Sequence, residues 1–219
     1  MAYNYLMSGP DFKSRIESSA AEPPRSRGRR TRTLILEQAA ALFAGRTPDD
    51  VSLTEIAAAA GAFPSQITYY FGSKDALFVH AAFRLLLHDA QRMEPVGRRT
   101  RAPDTFRLAM ARTALALPSV PVVIHALAIT RRRPELATLV DHNLNLLFRQ
   151  AERYLDSILA RHGWVIDRPP AVEIRTFWST VFGARLMSAA GFSGRASDID
   201  LAGTLTVHAG TSSQTAAAP

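Results

Sequence analysis

Apolar residues recur along most of the chain at spacings of three and four, the period of an amphipathic α-helix. The first such stripe predicts a helix over residues 31–44 and consists of Ile35, Ala39, Leu42 and Phe43. Later stripes, with their proline and glycine boundaries, predict helices over residues 74–93, 104–117, 122–130, 134–162, 171–190 and 197–208. No segment alternates as a β-strand does. The pattern therefore predicts an all-α protein of about nine helices.

Two short helices with a tight turn between them are predicted from residue 52 to residue 72. Ser52 and Glu55 have the spacing of a capping box, and Gly61 ends the helix that they begin. Pro64 suits the first turn of the next helix, which Gly72 ends. This arrangement is typical of a helix-turn-helix, whose second helix enters the major groove of DNA.

The side chains on that second helix are polar and aromatic. Ser65, Gln66 and Thr68 carry groups that hydrogen-bond base edges, and a tyrosine can contact a phosphate or a thymine methyl group. Two adjacent tyrosines cannot both face one core, whereas we expect the following phenylalanine to be buried. Lys74 begins the next helix and is the type of residue that contacts a phosphate.

The charge adds a basic segment before the first helix. The 219 residues carry a net charge of +7, and five arginines lie between Arg25 and Arg32 beside Pro23, Pro24 and Gly28. Because proline and glycine disfavour a regular helix, we expect residues 1–28 to form a flexible basic arm. Such an arm lies along DNA phosphates or reaches into a minor groove. A solvated tail without a partner explains the same residues.

Several other classes are excluded or disfavoured. Since the chain has no cysteine, it has no disulfide framework, thiolate zinc site, iron–sulfur cluster or thiol nucleophile. Apolar runs are too short for a membrane span, and we expect a cytoplasmic, nucleoid-associated protein without a membrane partner. GxGxxG, P-loop and HExxH motifs are absent, and the segment after Gly191 departs from GxSxG at Arg195. We predict no catalytic residue, metal or cofactor; a helical-bundle enzyme with scattered residues is the weaker alternative.

The segment from Arg29 to about Leu87 resembles the amino-terminal domain of TetR-type transcriptional regulators. The matching motifs are ILEQAAALF, LTEIAAAAG and ITYYFGSKDALF. The resemblance implies a helix-turn-helix DNA-binding domain over residues 29–90 and an all-helical ligand-binding and dimerisation domain over residues 91–210. Residues 211–219 are expected to be a disordered tail. By position, the resemblance implies DNA contacts from Thr54, Pro64, Ser65, Gln66, Thr68, Tyr69, Tyr70 and Lys74; the basic segment adds Arg27, Arg29 and Arg30.

The chain departs from the family pattern at the start of the second short helix. Where the family often has Val-Ser after the turn glycine, this chain has Ala62 and Phe63. A phenylalanine side chain cannot cap a helix, so the first residue of the helix is left open. Thr68 and Tyr70 replace the family's usual tyrosine and histidine, which we interpret as a change in operator sequence.

The carboxy-terminal domain is expected to hold a small-molecule pocket and a dimer interface. Pockets are mostly apolar with a few polar groups, so candidate residues for contact with an unknown effector are Phe83, Phe106, Met110, His125, Thr130, Asn143 and Trp178. For His125, a core position is the commoner alternative. Helix 171–190 is apolar on too many sides to face one core. A second subunit would cover Phe177, Val181, Phe182, Ala184, Leu201 and Leu205, although packing within one subunit explains them too.

The sequence therefore predicts a regulator that binds double-stranded operator DNA as a homodimer. The resemblance implies repression that a small-molecule ligand relieves. A ligand-independent DNA-binding regulator is the alternative.

Overall fold

The structure is a computed structural model that describes residues 24–194 and 198–210. The predicted arm up to residue 23 and the predicted tail over residues 211–219 lie outside the described residues. Nine α-helices fill most of the described chain and confirm the all-α prediction. The head contains α1 (Pro24–Phe43), α2 (Leu53–Ala59), α3 (Pro64–Phe71) and α4 (Lys74–Ala90). The body contains α5 (Glu94–Arg99), α6 (Pro103–Leu115), α7 (Ser119–Ile129), α8 (Ala137–His162) and α9 (Pro170–Ala189).

Helix α1 begins seven residues before the predicted start, so the expectation of a flexible arm is wrong from Pro24 onward. Proline is tolerated in the first turn of a helix, and arginine is a good helix former. Gly28 is half-buried and lies against α3, where a Cβ atom would come within 3.3 Å of the Tyr70 hydroxyl. The basic segment is therefore the first part of a packed helix.

The predicted cap of α2 is present, but only half of the predicted capping box forms. The Ser52 hydroxyl accepts a hydrogen bond of 3.0 Å from the Glu55 backbone N–H. The Glu55 carboxylate pairs instead with Arg46, which also donates to the Asp50 carbonyl. Arg46 thus connects the end of α1, the following loop and α2.

Helix α4 forms part of both the head and the body. The Phe78 ring lies in edge contact with Phe43 of α1 at 5.0 Å and with His125 of α7 at 5.4 Å. At the far end of α4, the buried Asp89 carboxylate accepts a hydrogen bond of 3.2 Å from the Ser119 backbone N–H at the start of α7. One hydrophobic core therefore continues from the head into the body.

Residues 94–99 are helical, although the sequence predicted no helix between residues 93 and 104. Pro95 lies in the first turn of α5, where its missing N–H costs nothing. Gly97 is buried so closely against α8 that a Cβ atom would lie 2.5 Å from both the Ile158 side chain and the Tyr154 hydroxyl. That hydroxyl accepts from the Gly97 backbone N–H at 3.0 Å and donates to the Met93 carbonyl at 2.9 Å. These contacts hold α5 on the body.

The prediction of a last helix over residues 197–208 is wrong. Residues 198–210, here called the carboxy-terminal strap, contain a 3₁₀ turn (Ala202–Thr204) and strand β2 (His208–Ala209). Strand β2 pairs antiparallel with β1 (Trp164–Val165). Glycine, threonine and valine from Gly203 onward are poor helix formers. Leu201 and Leu205 are nevertheless buried, because the strap folds back over the body.

A buried carboxylate anchors the strap. Glu173, in the first turn of α9, is fully buried and accepts hydrogen bonds from Arg168 Nε at 2.9 Å and from the Thr206 N–H and hydroxyl at 2.9 and 2.6 Å. Burial alone raises the pKa of Glu173, but the bonds from Arg168 and Thr206 together lower this pKa below its ordinary value. The ionised carboxylate is the form that holds the strap.

We expect Glu173→Gln to lower the free energy of unfolding by about 1–3 kcal/mol, because a charged acceptor of several buried bonds is lost. Since the pKa of Glu173 is lower in the folded protein than its ordinary 4.5, the carboxylate stabilises the fold above that pH. This contribution is lost as pH falls through the folded pKa. Urea unfolding at several pH values measures both effects. Exposed Glu135→Gln is the control, and equal acid sensitivity of Glu173→Gln and wild type would contradict the assignment.

Candidate functional site

The second short helix exposes a polar and aromatic face to solvent. Ile67 and Phe71 are buried, whereas Ser65, Thr68 and Tyr69 are exposed, with 82% of Tyr69 accessible. The exposed residues are separated by three and four positions and thus share one side of α3. Base contacts by these side chains stay a prediction, and the structure adds that the side chains are accessible.

Helix α3 begins at Pro64, and Gln66 closes its first turn. The Gln66 side-chain carbonyl accepts a hydrogen bond of 2.9 Å from the Phe63 backbone N–H. Phe63 has no side-chain acceptor for the N–H groups of the first turn, so only this reverse half of a capping box forms. Gln66 is only half-exposed and keeps its amide N–H groups for other contacts. The sequence analysis did not predict this role of Gln66. Its signal was the separation of three residues between Phe63 and Gln66, which is the spacing of a capping box.

The two adjacent tyrosines point to different surroundings. Tyr69 is exposed, while Tyr70 is half-buried with its hydroxyl against Gly28 of α1. Their rings meet edge to face at 5.0 Å. Tyr70 therefore joins α1 to α3, and Tyr69 lies on the open face.

Arginines of α1 lie on the helical segment that packs against α3. Arg27, Arg29 and Arg30 are exposed on the same helical segment as Gly28, and the Arg27 carbonyl accepts from the Thr31 hydroxyl at 3.1 Å. Arg32 places its guanidinium 4.9 Å from the centre of the Phe71 ring. Because α1 is helical here, the positive charges have fixed positions relative to α3.

Lys74 and Thr54 flank the same surface. Thr54 is exposed on α2, as is Pro64 at the start of α3. Lys74 is half-buried, and its Nζ donates to the Pro48 and Val51 carbonyls at 2.8 and 3.2 Å. A phosphate contact by Lys74 stays a prediction, and the structure adds that this amine ties α4 to the loop before α2.

The body encloses a cavity of about 310 Å³ between α4, α6, α8 and α9. Of the residues predicted to line a pocket, Phe106, Met110 and Trp178 do so. Tyr154 adds a hydroxyl, and burial raises its pKa above the ordinary value despite the opposing hydrogen bond from Gly97. Leu205 of the strap closes one side. Glu94 and Arg153 are the charged lining residues, and both are exposed.

Four predicted pocket residues lie elsewhere. Phe83 is completely buried, His125 packs on Phe78, and the Thr130 hydroxyl donates to the Leu127 carbonyl. Asn143 lines an open groove between α1, α4 and α8. Helical periodicity identified apolar sides of helices, but it could not show which neighbour each side contacts.

Most of the predicted dimer contacts are wrong. Phe177, Val181, Ala184, Leu201 and Leu205 are buried within their own chain, and Phe182 is half-buried. A buried side chain has no surface left for a partner. The exposed apolar residues of this region are instead Leu186, Met187 and Phe192, at 54%, 42% and 51%.

The described residues contain neither a cluster of metal-ligating side chains nor a single helix suited to crossing a membrane. No group of three or more histidines and acidic residues there is placed to hold a metal ion. No single helix among them has the length and hydropathy of a membrane span. Helices α6 and α7 meet these criteria only when they are counted as one segment, and the chain bends by 65° between them.

Comparisons with known proteins match both parts of the chain. A family model described as bacterial regulatory proteins of the tetR family matches residues 35–81, and a bacterial transcriptional repressor C-terminal model matches residues 103–206. A protein described as a transcriptional regulator from Rhodococcus sp. RHA1 has a crystal structure with 33% identity and a TM-score of 0.64, over 80% of this chain and 93% of that one. This chain belongs to the TetR family. The resemblance seen in the sequence is thus confirmed.

More distant structures share the TetR fold. A TetR-family protein from Mesorhizobium loti MAFF303099 is 17% identical, with a TM-score of 0.56 over 81% of this chain and 92% of that one. A protein described as a transcriptional regulator from Saccharomonospora viridis, in complex with choline, is 17% identical with a TM-score of 0.52, over 78% of this chain and 91% of that one. No curated protein matches the sequence.

We expect Gln66→Ala to lower the free energy of unfolding by about 0.5–1 kcal/mol, because the Phe63 N–H loses its acceptor. Gln66→Glu keeps an acceptor at the same place and should leave stability unchanged. Urea unfolding of both variants separates this structural role from any base contact. Equal stabilities of Gln66→Ala and Gln66→Glu would contradict it.

Proposed function

We propose that this TetR-family protein binds a two-fold operator in double-stranded DNA as a homodimer and represses transcription until a small molecule enters the body cavity. The observation that carries the proposal is the exposed face of α3, with Ser65, Thr68 and Tyr69, beside the arginine-bearing start of α1. Hydrogen-bonding groups on a helix surrounded by fixed positive charge are suited to a major groove.

The proposed contacts divide into base reading and phosphate binding. Ser65, Thr68 and the free amide N–H groups of Gln66 read base edges, and Tyr69 lies among them. Phosphate or minor-groove contacts come from Arg27, Arg29, Arg30, Thr54, Tyr70 and Lys74. Of these, Tyr70 acts mainly by placing α1, because its hydroxyl faces Gly28. Pro64 has no hydrogen-bond donor, so its contact with the DNA is apolar.

The proposed partner in the dimer is a second copy of the body. Leu186, Met187 and Phe192 are exposed at the end of α9, and the half-buried Phe182 precedes them by one helical turn. Exposed apolar clusters of this kind support association. Two heads related by a two-fold axis bind half-sites about one DNA turn apart, roughly 34–36 Å.

The proposed ligand is small, mostly apolar and uncharged. The cavity is lined mainly by aromatic, thioether and aliphatic side chains, and its two charged residues, Glu94 and Arg153, are exposed to solvent. An unpaired charge away from these two residues would be costly. The choline bound to the Saccharomonospora viridis protein supports a small-molecule role for a body of this fold. Leu87 and Ala90 of α4 line the cavity. A ligand that prefers another position of α4 therefore shifts the heads, to the extent of its differential affinity.

Binding to duplex DNA from upstream of the gene, measured over a salt series against a scrambled duplex, tests DNA recognition. We expect specific binding that weakens steeply with salt. Arg27→Ala should reduce the salt slope by about 0.9 for each phosphate that the protein no longer neutralises. Arg112→Ala, which removes one exposed charge from α6, is the matched control and should leave the slope unchanged. Absence of binding even at low salt would contradict the proposal.

A cavity-filling substitution tests the ligand site. We expect the neutral fluorophore 1-aminoanthracene to bind the wild type with increased fluorescence, and Ala151→Phe to abolish this increase because Ala151 lines the cavity. Ala160→Phe, on the exposed side of the same helix, is the matched control. DNA affinity without dye should be equal in all three proteins. Unchanged dye binding by Ala151→Phe would place the ligand elsewhere.

A further inference from the structure

The two most exposed large apolar side chains of the described residues belong to α3 and to the residue that caps it. Tyr69 is 82% exposed and Phe63 is 73% exposed. A tyrosine has a polar hydroxyl for solvent or DNA, but a phenylalanine gains nothing from water. An exposed phenylalanine ring at a proposed binding surface therefore indicates a contact that forms only in a complex.

The backbone of Phe63 is held in one conformation directly before α3. Phe63 is the N-cap residue of α3 with an extended conformation, φ −98° and ψ 148°. The Gln66 carbonyl holds its N–H, and Pro64 restricts the conformations of the residue before it. The first residues of a recognition helix are those that meet base edges. Phe63 thus stands immediately before the turn that carries Ser65.

The chemistry of the ring limits what it can recognise. Phenylalanine has no donor or acceptor, so it cannot read the hydrogen-bonding groups of bases. The apolar feature of a major groove is the 5-methyl group of thymine. The exposed arginines on the neighbouring segment of α1 favour a polyanion over an apolar protein partner.

We propose, on the basis of the proposed DNA-binding function, that Phe63 is a specificity-determining residue that packs on the 5-methyl group of one thymine in each operator half-site. Cytosine lacks this methyl group, and a purine at that position places none there. The operator half-site then has a required thymine next to the bases read by Ser65 and Thr68.

The test removes methyl groups from the DNA and the ring from the protein. A duplex is first selected from a random pool with the full chain, and each thymine is then replaced in turn by deoxyuridine, which lacks only the methyl group. We expect one position in each half-site where the replacement lowers the affinity of the wild type about fourfold. This is the change in affinity that corresponds to the burial of one methyl-sized apolar group. Phe63→Ala should bind the thymine and uracil duplexes equally.

Three variants make the result specific. Tyr69→Ala should keep the uracil effect at the Phe63 position, and Leu108→Ala, which removes another exposed apolar side chain from the body, should keep both affinity and effect. A uracil effect of the same size in Phe63→Ala, or none in the wild type, overturns the inference while DNA binding stands. Enrichment of no duplex overturns the proposed function and the inference together. A change in oligomeric mass of Phe63→Ala without DNA would make the ring a protein contact and overturn it as well.

Discussion

The edge contacts of the Phe78 ring with Phe43 and His125 join the two halves of this molecule. They place α4 in one continuous core with α1 on one side and α7 on the other. Protein interiors are close-packed, so neither half can shift against α4 without repacking buried side chains. The exposed face of α3 lies next to one end of α4 and the cavity lies at its other end, so the same packed core connects them.

The body depends on a second long-range constraint, the attachment of the strap. Leu205 forms part of the cavity wall, yet it is held there by bonds between Thr206 and Glu173 and by pairing of β2 with β1. Ordering these residues costs conformational entropy, which the buried carboxylate and the apolar contacts offset. The shape of the cavity is thus set by a segment far along the chain from α6 and α8.

The sequence contained most of the helical architecture, but not the partners of each helix. Ser52, Pro64 and Gly163 mark helix ends through local chemistry, and these predictions hold because the deciding interactions lie within a few residues. Helix α1 starts early because Gly28 packs on Tyr70, a contact between residues far apart in the sequence. The strap and the cavity residue Tyr154 depend on similar distant contacts, which periodicity does not contain. The exposed face of α3 was predictable because it lies opposite Ile67 and Phe71 on one short helix.

The close approach of Gly28 to the Tyr70 hydroxyl also limits how recognition can be transplanted between relatives. A recognition helix grafted from another protein would bring its own side chain to position 70. That side chain would have to fit against Gly28 of α1, which has no Cβ atom. A larger residue at position 28 would require the Tyr70 hydroxyl to move by a few tenths of an ångström. Positions 28 and 70 therefore form a contacting pair, and a hybrid that changes only α3 replaces one side of that contact.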